Sequence, residues 1–329
     1  MYDVFGLGNA IVDTEIRIDD SFLTQYGINK GHMTLIDTDR MATLLEALKD
    51  QPQARTSGGS AANSIYAIQA LGFKTAYGCK VADDENGRFF LEHMREGGTE
   101  IDTSALTTSG RSGQSLILIT TDAERTMNTD LGISAELSVA DLDLARLRGA
   151  QYFYAEGYLC SSEDSSKAVA TGREASADTE VAFALSLSDP SMVEAFRAPL
   201  TTMMGNGVDV IFCNEEEALT WAKTDRLDLA FKELKDISPE VYITLGAQGS
   251  VAIDRGQVHQ APGFPARALD TTGAGDMYAG ACLAARLEGA EPREAARFAN
   301  YCAAALVALY GARLGPPSDY QALRKAYPS

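Results

Sequence analysis

The segment Asp270-Thr271-Thr272-Gly273-Ala274-Gly275-Asp276-Met277 puts two glycines in a loop that opens a predicted helix. Such a loop lets successive backbone amides converge on one point, and the helix dipole adds partial positive charge there. The amides of Gly273, Ala274 and Gly275 therefore form a candidate anion hole that needs no lysine. Asp276 follows at once and would lie beside the bound anion. A phosphate repels a carboxylate placed there. The chemistry that would use it is removal of a proton from an attacking hydroxyl. The alternative makes Asp276 an acid on a first helical turn, where the dipole favours it.

Three further segments have chemistry-bearing residues. Ser57-Gly58-Gly59-Ser60-Ala61-Ala62-Asn63 runs into a predicted helix, Ala61–Leu71. Its paired glycines admit a ligand close to the backbone, and Asn63 offers a donor and an acceptor. A flexible loop with a serine N-cap is the alternative. Asn214-Glu215-Glu216-Glu217 follows a predicted strand ending at Cys213. Asn214 and Glu217 are three apart and share a face of the first helical turn. An amide and a carboxylate at a strand's carboxyl end suit a water-rich Mg2+ site beside phosphates. They equally suit a helix cap with an acidic first turn. Gly6-Leu7-Gly8-Asn9-Ala10-Ile11-Val12-Asp13 begins like a dinucleotide fingerprint. Ile11 stands where the third glycine belongs and Asp13–Ile18 continues as a strand, so that reading is rejected. Asn9 and Asp13 remain at the end of the first strand, where Asp13 could accept two hydrogen bonds from a vicinal diol such as that of ribose.

These residues need elements to hold them. Apolar runs at Phe5–Val12, Thr75–Val81, Tyr152–Ala155, Val181–Leu187, Val208–Cys213 and Val241–Leu245 read as strands. They alternate with helical patterns at Ala61–Leu71, Glu85–Arg95, Ser165–Ala177 and Glu215–Lys223, and the tail reads as helices Asp276–Glu288 and Pro292–Tyr310. This alternation predicts an α/β fold with a mostly parallel central sheet covered by helices on both faces. Asp13–Asp19 and, more loosely, Ser115–Met127 alternate polar and apolar residues, which predicts a second, smaller sheet. The two insertions could pair as a lid, or form ordinary edge hairpins.

Composition narrows the function classes. At 329 residues and 45% apolar, the chain can bury a large core. Acids outnumber bases 46 to 28, a net charge of −18, so the chain has no general attraction for nucleic acid or anionic lipid. No apolar run reaches the roughly 18 residues of a membrane span. The start, Met1–Gly6, lacks the basic stretch of a secretory signal. Cys79, Cys160, Cys213, Cys282 and Cys302 are scattered and read as reduced, mostly buried thiols, so a cytoplasmic location is expected. His32, His93 and His259 are isolated and suggest neither a zinc site nor a histidine-dependent triad. P-loop, protein-kinase and nucleophile-elbow motifs are absent.

Taken in order, the segments resemble the ribokinase-like (PfkB) family of carbohydrate and nucleoside kinases, over essentially the whole chain. Gly58–Asn63 is similar to the family's first signature, and Val81–Gly87 to the stretch after it. Asn214-x-x-Glu217 is similar to its Asn-x-x-Glu magnesium motif, and Asp270–Asp276 to its second signature. The resemblance implies one domain over residues 1–329, with a lid formed by insertions at about 12–36 and 111–131. It implies ATP as donor, Mg2+ held by Glu217 and Asn214, and Asp276 as catalytic base. ATP would meet Asn214, Thr244, Gly246, Gly249 and Asn300; the acceptor would meet Asn9, Asp13, Gly58, Gly59 and Asn63. Arg125, in Glu124–Asn128, is the candidate phosphate clamp, with a solvated turn arginine as its alternative. Many members hold a monovalent cation near the counterparts of Asp270–Thr272 and Gly311, which leaves K+ open here. Phe5–Asp13, Asp19–Leu23 and Phe153-Tyr154-x-x-Gly157-Tyr158 are similar to adenosine kinases. Ser186–Pro190 stands where sugar kinases usually carry an Asp-x-Asn-x-Arg-like stretch. The expected reaction is phosphorylation of the 5′-hydroxyl of a ribonucleoside, adenosine foremost. A ribose- or fructose-type sugar is the alternative acceptor. The expected partners are these small molecules alone, bound by a monomer or homodimer.

Overall fold

The computed structural model describes residues 1–31, 33–101, 106–122 and 124–328, so His32 lies outside the described residues. Val4–Leu7 is buried at every position, as a strand covered on both faces must be. It runs parallel to Thr75–Gly78 on one side and to Tyr152–Glu156 on the other. Ala182–Ser186, Val210–Asn214 and Glu240–Thr244 extend the parallel array. Gly249–Asp254 and Gln257–Pro262 close that edge as antiparallel strands, giving eight in all. Apolar clusters cover both faces. One includes Ile65, Ile68, Leu283 and Phe298 from helices Ser60–Ala70, Ala274–Leu287 and Pro292–Leu306. The other includes Val169, Leu200 and Met203 from Glu163–Ala177 and Arg197–Met204. The predicted α/β class is thus observed. All five cysteines are buried and free. Among the described residues no helix is long and apolar enough to cross a membrane.

The run Phe5–Val12 is not one strand. The first strand ends at Leu7, and the chain restarts as Ile11–Arg17 in another sheet. Glu156 holds the break between them, accepting Asn9 N–H at 2.9 Å and Asn9 Nδ2 at 2.7 Å. The second sheet has the order Met33–Leu35, Arg125–Asp130, Gly113–Ile119, Ile11–Arg17, Gln53–Gly58. Ile16, Leu116 and Leu118 pack on Leu23, Met41 and Leu44 from helices Asp20–Tyr26 and Thr38–Ala47. Gln53–Gly58 is too polar to read as a strand from its sequence. It exists as an antiparallel edge partner of Ile11–Arg17, so Gly58 ends a strand rather than lying in a loop. The last long helix stops at Leu306, short of Tyr310, where the Val307 carbonyl accepts Leu269 N–H at 2.7 Å.

Candidate active site

The carboxyl ends of the parallel strands and one face of the second sheet enclose a cavity of about 960 Å3. That lies at the upper end of the range for small-molecule sites. Asp276 stands on the first turn of Ala274–Leu287. Gly273 caps this helix with φ +72°, and a Cβ there would meet Ala312 Cα at 2.7 Å, so only glycine fits. The Ala274 amide donates to the Thr271 carbonyl at 3.1 Å. At Gly275 a side chain would meet only open space. Asp276 Oδ1 accepts Ser60 Oγ–H at 2.7 Å, and Oδ2 accepts Asn63 Nδ2–H at 3.0 Å. Arg313 Nε donates to Asn63 Oδ1 at 3.1 Å, which turns the amide N–H2 toward Asp276. Burial pushes the Asp276 carboxyl up to about 6, against the lowering effect of its Asn63 and Ser60 bonds and of Arg313.

At the second-sheet end stands Asp13. Burial lifts its carboxyl to about 7, with Arg313 opposing and Glu15 adding to the rise. A Cβ on Gly58 would collide with the Asp13 carboxylate, so Gly58 makes room for the acid rather than for a ligand. Asn9, Gly59 and Asn63 line the wall beside Asp13. Ile11, Met33, Leu35, Met127 and Leu131 add an apolar wall. Glu156 Oε2 accepts Ala61 N–H at 2.6 Å, so one buried carboxylate ties the Asn9 break to the start of Ser60–Ala70. Burial raises Glu156 to about 7, although the Ala61 and Asn9 amides pull it down.

At the other end, Asn214 and Glu217 form a reciprocal capping box. Asn214 Oδ1 accepts Glu217 N–H at 2.8 Å, and Glu217 Oε2 accepts Asn214 N–H at 3.1 Å. The cap is therefore real, and both residues also line the cavity. Burial raises Glu217 to about 7, against its bond from the Asn214 amide. Among the described residues no cluster of three His, Cys, Asp or Glu could cage a metal. One carboxylate and one amide, all-oxygen acceptors, fit Mg2+, which keeps several waters and binds largely through substrate phosphates.

Thr244 and Gly246 line the cavity beside Asn214. Four expected site residues do not line it. Gly58 stands behind Asp13. A Cβ on Gly249 would strike the Ala261 carbonyl, and Asn300 Nδ2 donates to that carbonyl at 2.9 Å, so both brace the edge strand. Arg125 is held between Glu15 and Asp270. Three residues at the site escaped sequence reasoning. Ser60 sits inside the quoted Gly-Gly-Ser-Ala-Ala-Asn segment and could have been singled out there. Glu156 stands at an unnamed position of the Phe153–Tyr158 stretch, and Arg313 has no local signal.

The pfkB family carbohydrate kinase profile matches residues 31–319. The chain is 34% identical to the adenosine kinase from Sinorhizobium meliloti of known crystal structure, over 99% of both chains, with a TM-score of 0.90. It is 30% identical to a probable sugar kinase protein from Rhizobium etli CFN 42, over 98% of both chains, also with a TM-score of 0.90. It is 26% identical to an ATP-dependent ribose-1-phosphate kinase from Halopiger xanaduensis, over 89% of this chain and 95% of that protein.

Proposed function

This chain belongs to the pfkB family of carbohydrate kinases, as an ATP-dependent kinase acting on a hydroxyl group, and we propose that its acceptor is a ribonucleoside, adenosine foremost, phosphorylated on the 5′-hydroxyl. The observation that carries this reading is the Asp13 end of the cavity. A carboxylate suited to a vicinal diol stands beside the apolar side chains of Ile11, Met33, Leu35, Met127 and Leu131. A free sugar has hydroxyls for the first feature and no flat apolar face for the second. A nucleoside has both.

In this reading the ribose diol donates to Asp13, and the second sheet acts as a lid over the base. Asp276 accepts the 5′-hydroxyl proton as that oxygen bonds to the γ-phosphorus of ATP and the bond to the departing ADP oxygen breaks. Ser60 and Asn63 fix the direction in which the Asp276 carboxylate faces. Phosphoryl transfer passes through a loose transition state, so orientation counts for more than basicity. The Gly273 and Gly275 amides and the helix dipole face the charge on the transferred group, while the Ala274 amide braces the turn. Glu217 and Asn214 would hold Mg2+ through waters; the ion supplies charge neutralisation between the phosphates.

A sugar acceptor is the second reading, favoured by the likeness to the probable sugar kinase and by hydroxyls of Ser115 and Thr129 in the cavity wall. The test is ADP release with adenosine, 2′-deoxyadenosine, inosine, guanosine, ribose and fructose at equal concentration. Adenosine should rank first. Loss of the 2′-hydroxyl should cost about 10²-fold, as a site built for a polar group rejects the analogue lacking it. Asp13→Ala should flatten that difference. A free pentose or hexose ranking above every nucleoside overturns the nucleoside acceptor and leaves the kinase intact.

A further inference from the structure

Asp270 opens the turn that carries Gly273 and Asp276, and its side chain is 1% exposed. Oδ1 accepts Thr272 N–H at 2.9 Å, and Oδ2 accepts Gly311 N–H at 2.7 Å. Arg125 Nη1 lies 3.0 Å from the same Oδ2. Arg125 begins the second-sheet strand Arg125–Asp130, and its Nη2 donates to Glu15 Oε1 at 2.5 Å. Two carboxylates, one on the second sheet and one on the turn, thus converge on one guanidinium that is 10% exposed. Arg125 Nε and Nη1 lack a well-aligned acceptor, so the guanidinium is hydrogen-bonded to Glu15 through Nη2 and held toward Asp270 by charge.

A monovalent cation beside Asp270–Thr272 and Gly311 does not fit this arrangement. The Asp270 oxygens already meet two amides and the guanidinium, whose charge repels a second cation at that spot, and Gly311 turns its N–H toward Oδ2. We infer that Arg125 is the resident cation of the Asp270 turn, standing in place of a monovalent ion and joining the second sheet to the segment that carries Asp276. The inference deepens the kinase reading and rests on it for the consequence in rate. A buried carboxylate without a counter-charge is strongly unfavourable. Removing the guanidinium therefore leaves Glu15 and Asp270 facing one vacated space, which a small cation can fill. Arg125 is a positioning residue on this account, and a dependence on monovalent cations appears only without it.

The test compares the unchanged protein with Arg125→Met and Arg125→Lys, in KCl and in tetramethylammonium chloride at equal ionic strength. Two quantities are measured: the melting temperature of the unliganded protein and the rate of ADP formation. The unchanged protein and Arg125→Lys should show the same melting temperature and rate in both salts. Arg125→Met should lose about ten-fold or more in rate in tetramethylammonium and recover in KCl, with a melting temperature that rises saturably with KCl, as ligand linkage requires. A melting temperature of the unchanged protein that rises saturably with KCl above its tetramethylammonium control, or a rate several-fold above that control, overturns the inference. So does an Arg125→Met protein that responds to KCl in neither measurement. The unchanged protein's arm decides even where Arg125→Met does not fold. If no acceptor supports ATP turnover, the kinase reading fails, and the melting arm still decides the place of the cation.

Discussion

Asn63 Nδ2 donates to Asp276 Oδ2 at 3.0 Å, across most of the length of the chain. Arg313 fixes the same amide from behind at 3.1 Å. The carboxylate next to the glycine turn is therefore aimed by residues from the first long helix and from the tail. It does not swing free on its own helix.

Replacing Asp276 by Asn tests the base directly. kcat should fall by about 10²–10⁴, the usual worth of a positioned base, while ATP affinity changes little. Burial already raises this carboxyl above its ordinary value, so stability is lost as pH rises from the ordinary carboxylate value through about 6, and the full cost of the ionised group is present at pH 8. The variant should thus melt no lower than its parent at pH 8. Near-normal kcat would remove Asp276 from the role.

The pH profile follows from the same carboxyl. A base must be ionised, so kcat/KM should fall as pH drops through about 6. The Asn63 and Ser60 bonds pull this value down. Asn63→Ala should therefore move the acid limb to higher pH. A limb that stays in place in this variant would detach it from Asp276.

Glu217→Gln separates the two roles that the capping box combines. The glutamine keeps one acceptor for the Asn214 amides, so the helix start should survive at a cost of about 1 kcal/mol. The Mg2+ concentration for half-maximal rate should rise, because a site that already keeps several waters has lost its carboxylate. Titration of rate against Mg2+ checks this. An unchanged curve leaves Glu217 as a cap alone.

The two glycines of the turn should respond differently to alanine. At Gly273 the positive φ and the contact with Ala312 make Gly273→Ala destabilising by about 1–3 kcal/mol. At Gly275 the added methyl meets open space. Gly275→Ala should melt like the parent yet turn over more slowly, since the methyl enters the proposed phosphate position. Thermal melts read beside rates distinguish the two.

Much of this protein could be read along the chain, for a local reason. A glycine turn opening a helix, an Asn three residues before a Glu at a strand end, and apolar runs with fixed period express short-range geometry. Asp276, Asn214, Glu217 and the parallel sheet were legible on that basis, and so was the alternating strand that carries Asp13. Other features depended on partners distant in sequence. Gln53–Gly58 is polar and becomes a strand only because Ile11–Arg17 offers it a ladder. Gly58 looked like a ligand loop, and the folded chain gives it to the Asp13 carboxylate. Glu156, within the Phe153–Tyr158 stretch, and Arg313 could not be assigned their roles along the chain, because a buried carboxylate or guanidinium is defined by what surrounds it in space. Arg125 could be noticed as a cation in the sequence; that its neighbours are Glu15 and Asp270 was decided only when the second sheet packed against the turn, since charges pair by distance in space and not by separation along the chain.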